Sequence, residues 1–285
     1  MEKVAVIGLG LIGGSLALDI KEAFGCTLLG VDGNTTNAHR ALELGIVDEI
    51  IALESLTNVD VVIVATPVDT VSSILMQVLD IVSEDTLVFD VGSVKEEICK
   101  VVDKHPKRTN FLAAHPIAGT EFSGPNAAIR NLFRKKINIL CDVDKTNPVL
   151  AEKAFLIFEK LGMELKYMNS AAHDRHIAYV SHLSHVSSFM LGKTVLEIEK
   201  DEQNIFDMAG SGFESTVRLA KSSPSTWTPI FSENRKNVLN SLDKYIKNLI
   251  EFKGLLEEEN KEEIFKVMEN TNHLKDILNG IKKKQ

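Results

Sequence analysis

Three cysteines among 285 residues are too few, too scattered and odd in number to build a disulfide framework. Cys26, Cys99 and Cys141 form no CxxC or Cys/His pattern, so no metal is expected, and a reducing compartment suits them. No apolar run reaches the roughly 20 residues needed to span a bilayer. The apolar stretch in MEKVAVIGLGLIGGSLAL is broken by glycines and lacks a small-residue cleavage pattern, so it is not read as a secretion signal. A cytoplasmic protein without a membrane segment is expected. Cationic charge is also short: 32 Lys and Arg face 40 Asp and Glu, a net charge of -8. Binding nucleic acid without sequence preference needs clustered cations to replace phosphate counterions. The one basic run, Lys282-Lys283-Lys284, reads as a solvated helix tail, so no nucleic-acid partner is expected.

What the chain does have is an ordinary globular composition, 44% hydrophobic and 25% charged. Its length suits about two domains. Apolar strand patterns at Val4–Ile7, Thr27–Val31, Val59–Ala65, Thr86–Phe89 and Phe111–Ala114 alternate with helical patterns at Leu11–Glu22, Asn37–Leu44, Val68–Val82 and Lys95–Asp103. Near-continuous apolar strands between helices predict a parallel sheet covered on both faces. Further strands are expected at Lys136–Leu140 and Met163–Met168. Between them Asn147 reads as a helix cap, Pro148 as the first helical residue and Gly162 as the stop. From Ser170 onward only helical patterns remain, at Ala171–Lys200, Leu239–Leu256 and Glu262–Ile281. The expected division is an α/β, Rossmann-like dinucleotide-binding domain over 1–169 and an all-helical domain over 170–285.

Val4-Ala5-Val6-Ile7-Gly8-Leu9-Gly10-Leu11-Ile12-Gly13 is a strand running through GxGxxG into a helix. Gly8 permits the tight turn, Gly10 admits a pyrophosphate to the backbone, and Gly13 allows close packing of helix on strand. The helix start at Leu11 and Ile12 offers free N–H groups and a favourable dipole to phosphate. Asp32 ends the second strand, near the expected spacing of about 20 residues beyond the motif. A carboxylate there accepts from both ribose hydroxyls and repels a 2′-phosphate, which favours NAD over NADP. Thr66 and Pro67 end a central strand, where open α/β sheets bind ligands. They either line the nicotinamide side or simply start a helix, and the two roles are compatible.

His115 follows the strand ending at Ala114. Its ordinary pKa near 6.5 suits exchange of a hydroxyl proton at neutral pH, although a structural bond to the loop backbone is the commoner role of a lone loop histidine. GLGLIGGS, Asp90-Val91-Gly92-Ser93-Val94-Lys95, HPIAGTE (His115–Glu121) and Gly212-Phe213 through Trp227 occur in the order found in prephenate dehydrogenases. The chain resembles that family over nearly its whole length. The resemblance implies NAD-dependent oxidative decarboxylation of prephenate and a homodimer formed through the helical domain. It implies that His115 hydrogen-bonds the C4 hydroxyl and assists its deprotonation. Ser93 positions that histidine and Arg218 pairs with the ring carboxylate. His185 lies in the substrate pocket, with Glu121, Trp227 and, more weakly, Thr120 around the substrate side chain. Ser211 and Ser215 depart from the family's glycine and acidic residue, which leaves the surroundings of Arg218 open.

Other readings stand beside these. Arogenate is an alternative substrate. A different Rossmann dehydrogenase, acting on a β-hydroxyacid or an imine, does not account for HPIAGTE with the Arg218 segment. An NAD-responsive regulatory module needs no proton-transfer and anion-binding set. No βαβ regulatory extension is expected after the last helix, and no chorismate mutase segment before the glycine motif. His182 and His185 share a helix face, but His182 is read as a core histidine rather than a metal ligand. Asp174 is expected to complement the start of its own helix, and Lys95 to meet an anionic substrate or lie on a helix surface.

Overall fold

The computed structural model describes residues 1–120, 122–200 and 205–282. It forms two compact units, Met1–Asn234 and the residues from Arg235 onward. The first opens with β1 (Lys3–Ile7), α1 (Leu11–Phe24), β2 (Thr27–Val31), α2 (Thr35–Glu43), β3 (Glu49–Ile50), β4 (Val61–Val64), α3 (Val68–Ile81), β5 (Leu87–Asp90), α4 (Glu96–Val102) and β6 (Phe111–Pro116). It continues with β7 (Ile137–Cys141), α5 (Pro148–Lys160), β8 (Glu164–Met168), α6 (Ser170–Ile177), α7 (Leu183–Glu199), α8 (Ser211–Val217) and α9 (Pro224–Glu233). The second unit contains α10 (Arg235–Glu257), α11 (Lys261–Thr271) and α12 (Leu274–Lys282).

One eight-stranded sheet runs β3-β2-β1-β4-β5-β6-β7-β8, the order of a Rossmann-like nucleotide-binding fold extended at one edge. Strand residues alternate between two buried faces. Val4, Val6, Val61, Ile63, Leu87 and Phe89 pack with Leu16 and Ile20 of α1 and Leu150 and Phe158 of α5. Ala5, Ile7, Val62, Val64 and Val88 pack on the other face with Val71, Leu75 and Val78 of α3 and Ile98 and Val102 of α4. At about 25 cal/mol per Å² of apolar area, this two-sided burial is what holds the sheet.

Two expectations need correction. The sheet is not wholly parallel, because β6 and β7 pair antiparallel, with His115 opposite Ile139. Parallel pairing needs a crossover that carries the chain back to its starting edge. The described residues between 117 and 136 make none, and Ile117 N–H already donates to the Ile137 carbonyl at 2.7 Å, so the chain turns and runs back. The expected helix Ala171–Lys200 is also interrupted, by one turn of π-helix at Ala178–His182. Such insertions shift every later side chain around the axis and concentrate at functional sites. The Asn147 cap, Pro148 at the first helical position and left-handed Gly162 (φ +72°) bound α5 as expected. Among the described residues no helix is long and apolar enough to cross a membrane.

Candidate active site

The nucleotide end of the site is built by β1 turning into α1. Gly8 has φ +92°, and a Cβ there would lie 2.5 Å from the Ala65 carbonyl oxygen. A Cβ on Gly13 would lie 1.9 Å from the Gly8 carbonyl oxygen, so helix and turn touch through bare backbone. Gly10 differs, because nothing stands within 4 Å of its Cβ position. That open side faces away from the protein, where a phosphate group can approach. The N–H groups of Leu11, Ile12 and Gly13 belong to the first turn and have no acceptor within their own helix. Asp32 accepts the Leu9 N–H with one carboxylate oxygen and the Asn34 N–H with the other, each at 2.8 Å. The carboxylate is thereby pinned across the loop, with lone pairs left for ribose hydroxyls. Pro67 caps α3 from just outside it, and the Thr66 and Thr70 hydroxyls lie 3.0 Å apart. These residues fit a dinucleotide.

The chemical end lies at the carboxyl ends of β4, β5 and β6. His115 projects to the α3/α4 face, and its Nδ1 is hydrogen-bonded to Nε2 of His173 at 2.8 Å. His173 Nδ1 is in turn 2.7 Å from Oδ1 of Asp174. Asp174 Oδ1 also accepts the Lys95 N–H, and Oδ2 accepts the Glu96 N–H, each at 2.8 Å. Asp174 therefore caps α4 rather than complementing its own helix. Burial holds the His115 imidazole well below its ordinary pKa, and the nearby His173, Lys95 and His182 act in the same direction.

Lys95 neither meets substrate nor sits on a surface. Its side chain is 0% exposed and forms an ion pair with Asp90, also 0% exposed, while Asp90 accepts the Gly92 N–H at 2.9 Å. This pair ties the end of β5 to the turn carrying Ser93 and to the start of α4. Ser93 is half-buried, and its hydroxyl makes no hydrogen bond to His115 among the described residues. The partner of His115 Nδ1 is His173.

From His115 a series of contacts leads to His185, and the Arg218 charge is felt there. Asn234 Nδ2 donates to the Asp174 carbonyl at 2.8 Å and contacts His182 Nδ1 at 3.2 Å. His182 is buried as expected and meets Trp227 edge-on, with ring centroids 5.9 Å apart. Trp227 stacks on His185, whose Nδ1–H donates to the Ser181 carbonyl at 3.0 Å. Burial lowers the pKa of His185, opposed by the Ser181 bond and reinforced by the nearby Arg218 guanidinium. Trp227 and Ile230 of α9 pack with Val68 and Val94, which seats the indole at the carboxyl edge of the sheet. Arg218 is exposed and has no acidic partner among the described residues, so it is available to an anion.

Some expected residues are not joined to this series. Thr120 is exposed, and its hydroxyl accepts the Phe122 N–H at 3.3 Å. Glu121 lies outside the described residues. Ser211 and Ser215 are exposed at α8, and Ser215 donates to the Gly212 carbonyl at 2.9 Å. Residue types alone did not reveal His173, Asp174, Asp90 or Asn234. The adjacent His173-Asp174 pair within α6, the first helix after β8, was the one local signal.

Comparison with known proteins places this geometry. Residues 16–167 match the family described as prephenate dehydrogenase, nucleotide-binding domain, and residues 169–270 match prephenate dehydrogenase, dimerization domain. The prephenate dehydrogenase of Bacillus subtilis is 29% identical over 97% of this chain and 76% of its own length. The Aquifex aeolicus prephenate dehydrogenase, solved with hydroxyphenyl propionate and NAD+, is 32% identical with a TM-score of 0.90, covering 98% of each chain. Synechocystis arogenate dehydrogenase is 27% identical with a TM-score of 0.77, over 97% of this chain and 99% of that one.

Proposed function

The chain belongs to the prephenate dehydrogenase family, an oxidoreductase family, and from that premise we propose that it converts prephenate to 4-hydroxyphenylpyruvate with NAD. The observation that carries this reading is the placement of His115. It stands at the carboxyl edge of the sheet with Nδ1 engaged by His173, and the contacts running to His185 and Trp227 begin there.

NAD, when bound, supplies the acceptor for the hydride on ring C4. The first turn of α1 and Asp32 hold it, and the carboxylate of Asp32 disfavours a 2′-phosphate. His115 Nε2, the nitrogen not taken by His173, accepts the C4 hydroxyl proton as that carbon becomes a carbonyl. Ser93 and Thr66 flank the nicotinamide side. Arg218 orients the dianionic substrate by a two-pronged pair with the ring carboxylate. It serves orientation more than transition-state binding, since a tightly gripped carboxylate resists leaving as carbon dioxide. His185, Trp227 and Glu121 surround the substrate side chain, with Thr120 beside them.

We place a division of labour near residue 169. The last strand ends at Met168, and every described element after it is helical. The helical part is the dimerising part in this reading. It leaves Val180, Met190, Leu196, Leu239, Ile250 and Phe265 exposed, a supply of apolar surface suited to a second copy. Cytoplasmic residence suits the three reduced, buried cysteines.

The test is formation of reduced cofactor by the purified chain with prephenate or arogenate, each with NAD or NADP, beside His115→Asn. Production of NADH from prephenate, lost by a factor of about 10² to 10⁴ in the variant, is expected. Turnover with arogenate alone would move the substrate. Tight NAD binding without turnover of either would replace the enzyme by a sensor.

A further inference from the structure

The contacts of His115 determine more than its location. Asp174 uses both oxygens as acceptors, taking the Lys95 and Glu96 N–H groups and facing His173 Nδ1 at 2.7 Å. A carboxylate has no proton to give, so the hydrogen between Asp174 and His173 resides on His173 Nδ1. A neutral His173 then presents a bare Nε2 to its neighbour 2.8 Å away, and the hydrogen in that second bond must come from His115 Nδ1. What remains at His115 is an unprotonated Nε2. We infer that His173 and Asp174 are positioning residues that fix His115 in the tautomer able to act as a base. They also receive the charge that forms when it does.

This rests on the reading of His115 as the proton acceptor and assigns the groups behind it. In the step itself the substrate O–H bond breaks and an Nε2–H bond forms. The electron pair left on oxygen becomes the carbonyl as hydride departs to NAD. His115 is then an imidazolium whose Nδ1–H still points at His173, and the Asp174 carboxylate lies one imidazole further on. Both partners are 1% exposed, so water does not compete for these bonds. The arrangement parallels a Ser-His-Asp triad, in which a buried carboxylate sets the tautomer of the base and stabilises its cationic form. Here a second imidazole intervenes.

The first measurement uses the unmodified chain. Histidine 15N NMR, with the His115 signals assigned by their absence from His115→Asn, reports which nitrogen carries hydrogen. A proton on Nδ1 and a bare Nε2 are expected, and neutral His115 protonated on Nε2 would overturn the inference. The second uses variants. His173→Phe deletes the acceptor, whereas His173→Gln retains one near the former Nε2. The Phe variant should lose at least about a hundredfold in kcat, with KM for prephenate and NAD affinity within about threefold of the unmodified chain. The Gln variant should recover part of that loss. Asp174→Asn should shift the His115 proton to Nε2 in the same spectrum. Full turnover in His115→Asn would remove the parent reading. Loss in His115→Asn with unchanged kcat in His173→Phe would leave that reading intact and sink the relay alone.

Discussion

The imidazole of His185 lies on the indole of Trp227, with ring centroids 3.3 Å apart and planes 22° from parallel. One ring comes from α7 and the other from α9, so the stack sets the spacing of two helices that border the site. Aromatic pairs of this kind contribute about 0.5–1.5 kcal/mol beyond area burial. Trp227→Leu should therefore raise KM for prephenate by about 2- to 10-fold through loss of His185 alignment. Trp227→Phe should raise it less. Steady-state kinetics of the two variants side by side provides the check, and equal KM values would show that the stack aligns nothing.

Arg218 has no acidic partner to satisfy it in the described structure, so its planar fork is open to a carboxylate. Arg218→Lys retains the charge and removes the two-pronged geometry. A hydrogen bond to a charged group contributes about 1.5–3 kcal/mol. The variant should raise KM by about tenfold or more while changing kcat much less. A loss confined to kcat would mean that Arg218 acts in the transition state instead of in orientation.

The two glycines of the turn should fail differently. Gly13→Ala forces a methyl into the Gly8 carbonyl, and overpacking of this kind costs about 1–3 kcal/mol or more. Gly10→Ala meets no protein atom and should leave the melting temperature nearly unchanged while weakening NAD binding. Thermal unfolding and cofactor titration of both variants separate the cases. A Gly10→Ala chain that binds NAD normally would remove Gly10 from the phosphate site.

Acid should weaken the fold before it reaches the carboxylates. Burial lowers the pKa of His115, His182 and His185, with His182 reaching about 4 against an ordinary 6.5. The unfolded chain thus binds protons that the native chain refuses, and stability rises with pH through that interval. It is fully present above about 6.5 and is lost as pH falls toward 4, by about 3 kcal/mol for His182 alone. Melting curves between pH 7 and 4 test this, and a flat profile would contradict it. For the same reason the acid limb of kcat/KM should lie below 6.5.

Much of this was legible from local sequence. The strand before Gly8, the glycine spacing, Asp32 and the Asn147–Gly162 helix bounds are all decided within one or two turns of chain. The roles proposed for Arg218 and Trp227 rest on family resemblance, since neither residue carries a local pattern. What escaped depends on distance along the chain. The bond from Lys95 N–H to Asp174 spans 79 residues, and that from Asn234 to Asp174 spans 60. Lys95 and Asp90 are only five residues apart, yet their burial follows from packing that no helical pattern records. The direction of β7 and the π-helical turn before His185 are likewise tertiary choices.

Asp174 serves two masters with one carboxylate, holding the first N–H groups of α4 and the imidazole behind His115. With His115 as the proposed base, the integrity of that helix start and the competence of the base become a single local equilibrium. Fraying of the first turn of α4 would release the carboxylate to water and leave the histidines without a fixed proton order, while the sheet stayed intact. Mild denaturant or heat should silence such an enzyme well before it melts. Its working range is then bounded by one helical turn and not by the stability of the whole chain.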